Sequence, residues 1–166
     1  MHDRVFFTKG TPRLWWVIGL LVCLSTSLTA EPAGDTVLAR QRVQESLDAI
    51  KVRLGLPNEV TAQLVDEHPL VVAVAPAGGR VGGFQISAEA AFIGSLTDEE
   101  LDAVIAHELG HVWIFTHHPY LQTEQLANDI AMRVVERRTL EAVYAKIRAR
   151  GGHTGGPPRF ADSKAN

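Results

Sequence analysis

Cysteine is nearly absent from this sequence: the only one, Cys23, lies close to the N-terminus. A scaffold stapled by internal disulfides is therefore excluded, and an ordinary apolar core has to hold the fold. Long apolar runs are missing as well. The longest covers residues 14–24, 11 residues in all, well short of the ~20 that a membrane-spanning helix needs. There is no surplus of basic charge either, with 16 Lys and Arg against 19 Asp and Glu and a formal net charge of −3. Since no segment carries a basic stripe, a nucleic-acid partner is not expected. No internal repeat is visible. What is there, 166 residues at 46% hydrophobic and 21% charged, fits one globular domain.

Residues 1–30 stand apart from that domain. Arg4, Lys9 and Arg13 make a basic start, the apolar run 14–24 follows, and a small, polar stretch at 25–30 ends before Glu31-Pro32. This is the outline of a secretory signal, with cleavage expected after Ala30 although Leu28 fits poorly three positions before the cut. Val22, preceding Cys23, departs from the small residue that a lipoprotein signal carries there. The expected location is outside the cytoplasm, periplasmic or secreted. The alternative is an uncleaved anchor over residues 14–30, which would make the membrane a partner. Without residues 1–30 the chain keeps 13 basic and 18 acidic residues, a balance of −5, and no cysteine. The domain is expected over 31–150. Residues 151–166, rich in Gly and Pro and without periodic apolar positions, read as a disordered tail.

Within the domain, Val37, Leu38, Val43, Leu47, Ile50 and Leu54 give residues 35–54 a helical stripe, stopped by Gly55 and Pro57. Residues 59–64 are ambiguous. The β-branched run 70–75 between Pro69 and Pro76 is expected to be a strand, paired through a turn at 76–80 with a second strand over 81–87. Gly82-Gly83 is expected to leave an edge of that second strand bare. A short helix is expected over 88–95. After residue 116, His118-Pro119 forces a stop, and 120–150 reads as one long helix.

The strongest chemical signal is His107-Glu108-Leu109-Gly110-His111. Thr97 caps the helix that carries it and Glu100 completes a capping box; Leu101, Val104, Ile105, Val112 and Phe115 recur at helical spacing over residues 97–116. His107 and His111 then lie one turn apart on one face. They are able to share a Zn²⁺, one ion per chain, while Glu108, rotated by about 100°, stands beside the metal as a base for its water. H-E-x-x-H on a helix is the signature of zinc metallopeptidases.

A catalytic zinc needs a third protein ligand. His117 stands at metzincin spacing, but that pattern requires glycine at 114 for the chain to turn back. Ile114 continues the helix instead, and Met132 sits in a helical stretch, so a Met-turn is missing. Glu124 is the better choice. It begins a run in which Glu124, Asn128 and Ala131 share a face. Ala127 and Ala131 permit close approach to the first helix, and Asn128 is placed to accept a hydrogen bond from a ligand histidine. For an oxyanion donor, Tyr120, His117, His118, Tyr144, Arg133 and His153 remain open.

The stretch Gly79-Arg80-Val81 through Ser87, and Leu96-Thr97-Asp98-Glu99-Glu100-Leu101 through His111, resembles the HtpX-like and CAAX-prenyl-protease type of zinc metallopeptidase. The likeness runs over about residues 70–135. Glu124-Gln125-Leu126-Ala127-Asn128 is similar to that family's E-x-x-A-D, except that Asn128 stands in place of the aspartate. The pair Ala127-Asn128 is more similar to ImmA/IrrE-type peptidases. The resemblance implies an α+β fold of minimal gluzincin type: a small antiparallel sheet whose edge strand receives substrate, an active-site helix and a glutamate helix. It also implies peptide-bond hydrolysis, with peptides or proteins as substrates. The expected function is that of a zinc endopeptidase with His107, His111 and Glu124 on the metal and Glu108 as general base. The edge strand for an extended peptide is expected to be 81–87. The alternative from another class is a non-catalytic zinc-stabilised domain that binds a partner or a peptide.

Overall fold

The computed structural model describes residues 33–78 and 82–151. The expected signal segment, turn residues 79–81, His153 and the expected tail beyond Gly151 lie outside the described residues. In chain order the elements are α1 (Ala33–Leu54), β1 (Val60–Val65), β2 (Val72–Pro76), β3 (Phe84–Glu89), α2 (Ala90–Gly94), α3 (Asp98–His117), a single 3-10 turn (Pro119–Leu121), α4 (Glu124–Ala131) and α5 (Arg137–Ala149). Among the described residues no helix is long and apolar enough to cross a membrane.

α3 is the spine of this α+β domain. Its capping box forms as the sequence dictates: the Glu100 backbone N–H donates to Thr97 Oγ1 at 3.3 Å, and the Thr97 N–H donates to Glu100 Oε2 at 2.9 Å. The periodic residues Leu101, Val104, Ile105 and Val112 are buried, together with Leu109. α1 packs on this helix through Val43, Leu47 and Ile50, and burying each such side chain contributes about 1.5–3 kcal/mol. Arg42 ties the two helices at their rim, donating to Asp98 Oδ1 at 2.8 Å and to the Leu96 carbonyl at 3.0 Å. α1 ends where glycine allows it. Gly55 takes φ +67°, and the Leu56 N–H closes back on the Lys51 carbonyl at 3.0 Å.

The sheet differs from expectation in one respect that matters for function. Strands β2 and β3 pair antiparallel as the hairpin pattern implies. Residues 60–65, however, form a third strand that pairs parallel with β3, giving the order β1-β3-β2. The sheet is therefore mixed, and β3 is its centre. The expected bare edge over 81–87 is corrected: Val60-Thr61-Ala62-Gln63-Leu64-Val65 alternates like a half-buried strand and covers the far side of β3. Gly82 is engaged as well, its carbonyl accepting from Asn58 Nδ2 at 3.1 Å. On the side of the cleft described below, the exposed edge is β2.

The long helix expected over 120–150 is also corrected. A straight helix would set Asn128 and Tyr144 about 24 Å apart, yet the Tyr144 hydroxyl donates to Asn128 Oδ1 at 3.2 Å. The chain breaks between α4 and α5, at the β-branched pair Val134-Val135, and folds back. The Val134 carbonyl freed by the break accepts a hydrogen bond from Arg53 of α1. Lys146 of α5 then reaches the α3 cap, donating to Glu100 Oε2 at 2.6 Å and to the Ser95 carbonyl at 3.0 Å.

Helix α4 crosses α3 closely enough that position 110 has no room for a side chain. A Cβ on Gly110 would lie 2.6 Å from the Ala127 carbonyl oxygen and 3.1 Å from its Cα. In a free helix Gly→Ala stabilises by about 1 kcal/mol. Here the obstacle is backbone, and overpacking of this kind costs about 1–3 kcal/mol, so the sign reverses. Gly110→Ala is expected to lower the thermal midpoint; a midpoint at or above the parent's in a melting curve contradicts this packing.

Candidate metal centre

His107 and His111 project from one face of α3, with ring centroids 4.8 Å apart and planes crossed at 87°. The 3-10 turn after Pro119 reverses the chain, and Thr123 caps α4 by accepting from the Leu126 N–H at 3.1 Å. The first residue of that helix, Glu124, faces both rings. The three donor groups converge: His107 Nε2 to His111 Nε2 is 3.2 Å, His107 Nε2 to Glu124 Oε2 is 3.2 Å, and His111 Nε2 to Glu124 Oε1 is 3.4 Å. Two atoms each 2.0–2.1 Å from a tetrahedral zinc ion lie about 3.3–3.4 Å apart. The spacing fits that ion, and among the described residues this is the one His/Cys/Asp/Glu group of three or more able to hold a metal.

The surroundings fix which ring nitrogens face the centre. His107 Nδ1 lies 2.9 Å from Asn128 Oδ1, and His111 Nδ1 lies 3.1 Å from Gln122 Oε1. Each Nδ1 therefore carries its proton toward an amide oxygen, and each Nε2 presents a lone pair inward. Two lone pairs and a carboxylate pointing at one another repel unless a cation lies among them. Where a ring carries its proton on Nε2 instead, it donates to Glu124, and such hydrogen bonds from His107 and His111 hold the Glu124 carboxyl well below the usual carboxylate range. For His111, burial opposes the charge, but the contacts to Glu124, Glu108 and Gln122 together push its pKa up.

Glu108 does not join the three. It is 7% exposed and takes a backbone hydrogen bond from Val74 of β2. Burial pushes its carboxyl above the ordinary range, against the opposing pull of His107 and His111. A carboxylate that is buried, near the centre and not among its ligating atoms has the position and the basicity of a proton acceptor.

His117 is turned away from the centre. Its ring stacks on Trp113 at 4.2 Å and 6°, and its Nδ1 lies 2.9 Å from the Trp113 carbonyl. Of the candidate oxyanion donors, Tyr120 is 98% exposed and Arg133 lies over the Trp113 ring at 5.1 Å, beside which His118 also sits. Tyr144 alone of the described candidates lines the cleft. Its hydroxyl lies 3.4 Å from Glu124 Oε2, and burial raises its pKa so that it keeps its proton. Sequence reasoning missed Gln122 altogether, since a single glutamine between a turn and a helix cap carries no periodic or motif signal.

The cleft over this centre has a volume of about 550 Å³. One wall is the β2 edge, Val72 to Pro76. The opposite walls are α3 and α5, including Val104, Leu140 and Val143.

The chain is similar to known proteins in three comparisons. A "Protease HtpX homolog" of Pyrobaculum islandicum is 36% identical over 70 residues, which is 42% of this chain. The matched chain spans only 19% of that protein's length. A solved structure, the metallopeptidase zymogen of Pyrococcus abyssi abylysin, gives a TM-score of 0.48 at 18% identity, covering 65% of this chain and 93% of that one. The sequence profile of peptidase family M48 matches residues 38–155, a span that takes in α3 with its two histidines, the return at Pro119 and the whole of α4 and α5. On that match, which covers most of its length, the chain belongs to peptidase family M48.

Proposed function

We propose that this chain is a zinc-dependent endopeptidase. The observation that carries the proposal is the convergence of His107 Nε2, His111 Nε2 and Glu124 within 3.2–3.4 Å of one another, with a buried carboxylate, Glu108, held beside them. His107, His111 and Glu124 would hold the ion, leaving a fourth position open toward the cleft. Zinc bound there would supply Lewis acidity to the attacking water and the scissile carbonyl. Glu108 accepts the proton of that water through its carboxylate and delivers it to the leaving amine nitrogen. The raised pKa of the buried acid suits both halves of that transfer, because a base with a pKa nearer neutrality both takes and returns the proton readily.

An extended peptide would add to the edge of β2, its backbone pairing with the strand and its alternate side chains entering the cleft. The apolar walls favour peptides and proteins as substrates over small charged molecules. The rival reading, in which metal only braces the fold, leaves Glu108 without a purpose: burying an acid lowers stability, and a structural site has no need of one.

Metal analysis of freshly purified, chelator-free protein tests the proposal. About one zinc per chain is expected, lost in His107→Ala and in His111→Ala. A parent protein with no zinc sinks it.

A further inference from the structure

We propose that Gln122 is the positioning residue of His111, fixing both the orientation and the tautomer in which that histidine meets the metal; this rests on the metal-centre reading above. Gln122 lies between the 3-10 turn and the Thr123 cap of α4, and its side chain is clamped to His111 at both ends. The amide Nε2 donates to the His111 main-chain carbonyl at 3.2 Å, and the amide oxygen lies 3.1 Å from His111 Nδ1. A carbonyl only accepts hydrogen bonds, so the first contact settles which end of the amide is NH₂. The oxygen must then face the ring, and the ring nitrogen facing it must carry the proton. His111 is thereby held with Nδ1–H outward and the Nε2 lone pair toward His107 and Glu124.

The segment that carries the amide is itself anchored. The Leu121 N–H donates to the His118 carbonyl at 2.9 Å, and the Leu126 N–H donates to Thr123 Oγ1 at 3.1 Å. The same reversal that returns Glu124 to the centre thus delivers the histidine's support. Asn128 does the corresponding job for His107 from one turn into α4. The two metal-facing imidazoles are therefore both oriented by neutral amides rather than by carboxylates. Gln122 is exposed, and its two hydrogen bonds both go to His111, so its removal takes little from the core.

The test uses zinc as the probe, in chelator-competition titrations of the full chain. Gln122→Ala is expected to weaken zinc binding about 10–100-fold, the usual effect of removing an outer partner of a ligand histidine. Gln122→Glu keeps an acceptor oxygen for His111 Nδ1 but loses the donor to the His111 carbonyl, and is expected to recover part of the lost affinity. The melting point of the metal-free protein is expected to be unchanged in both. A second readout needs no metal: ¹H-¹⁵N NMR of the metal-free protein, in which the His111 Nδ1–H proton facing Gln122 Oε1 is expected to be shifted downfield and slow to exchange in the parent, and to exchange rapidly in Gln122→Ala. Parent-like zinc affinity in Gln122→Ala, or an Nδ1–H as slow to exchange as the parent's, overturns the proposal. So does a drop in metal-free stability as large as the loss of affinity, which would make the residue a structural one. A parent that binds no zinc yet shows the Gln122-dependent Nδ1–H protection would defeat the metal reading while leaving the positioning role intact.

Discussion

Glu108→Gln is expected to cut peptide hydrolysis by at least about 10²-fold, and toward 10⁴-fold, the range over which general-base assistance acts. The two side chains have the same size, so the contacts that bury Glu108 against β2 are kept. Glutamine cannot accept the water proton, and that is the one function removed. No bond to the converging trio is lost, so zinc content should match the parent's. Stability should hold or rise slightly, because an acid that burial penalises has been replaced by a neutral group. Steady-state kinetics with metal analysis on the same sample checks this. Parent-like rates with zinc bound would refute the mechanism, whereas loss of zinc would make Glu108 a ligand and put the geometry at fault.

Glu124→Ala and His117→Ala are expected to differ sharply. Zinc sites contribute about 10–16 kcal/mol in all over four ligands, so losing one protein ligand should weaken binding by several kcal/mol, on the order of 10²–10³-fold. Glu124 is the anion of the centre, set 3.2 Å from one histidine nitrogen and 3.4 Å from the other. His117 spends its ring on Trp113, and its removal should leave zinc affinity unchanged. A chelator-competition titration ranks the two variants. The reverse ranking would mean that the α3 C-terminus unwinds to bring His117 to the metal.

Much of the centre was legible because local rules and the chemistry agree. Thr97 and Glu100 mark where α3 starts, and the i, i+4 histidines need only a helix to face the same way. Ile114 denies the turn that would have brought His117 back, and the same residue is fully buried in the structure. The readings that failed depended on partners distant in sequence. That β3 is central follows from residues 60–65, whose short alternation is ambiguous until the strand they pair with is known. The break at Val134-Val135 carries only a weak local signal, since two β-branched residues lower helix propensity slightly. It is settled by Tyr144 folding back onto Asn128. Gly110 was visible inside the motif, but its need to lack a side chain comes from the Ala127 backbone of another helix. Gln122 had no signal of any kind until its two hydrogen bonds to His111 could be seen.

The central claim is that hydrolysis depends on metal held by this one centre, and the direct measurement is peptide cleavage before and after metal removal. The purified full chain is incubated with a mixed peptide library, then stripped with chelator, then resupplied with one equivalent of zinc. Cleavage is expected at the start, absent after stripping and restored by the added zinc, with none at any stage in His107→Ala. Cleavage that survives stripping, or that persists in His107→Ala, would contradict the account.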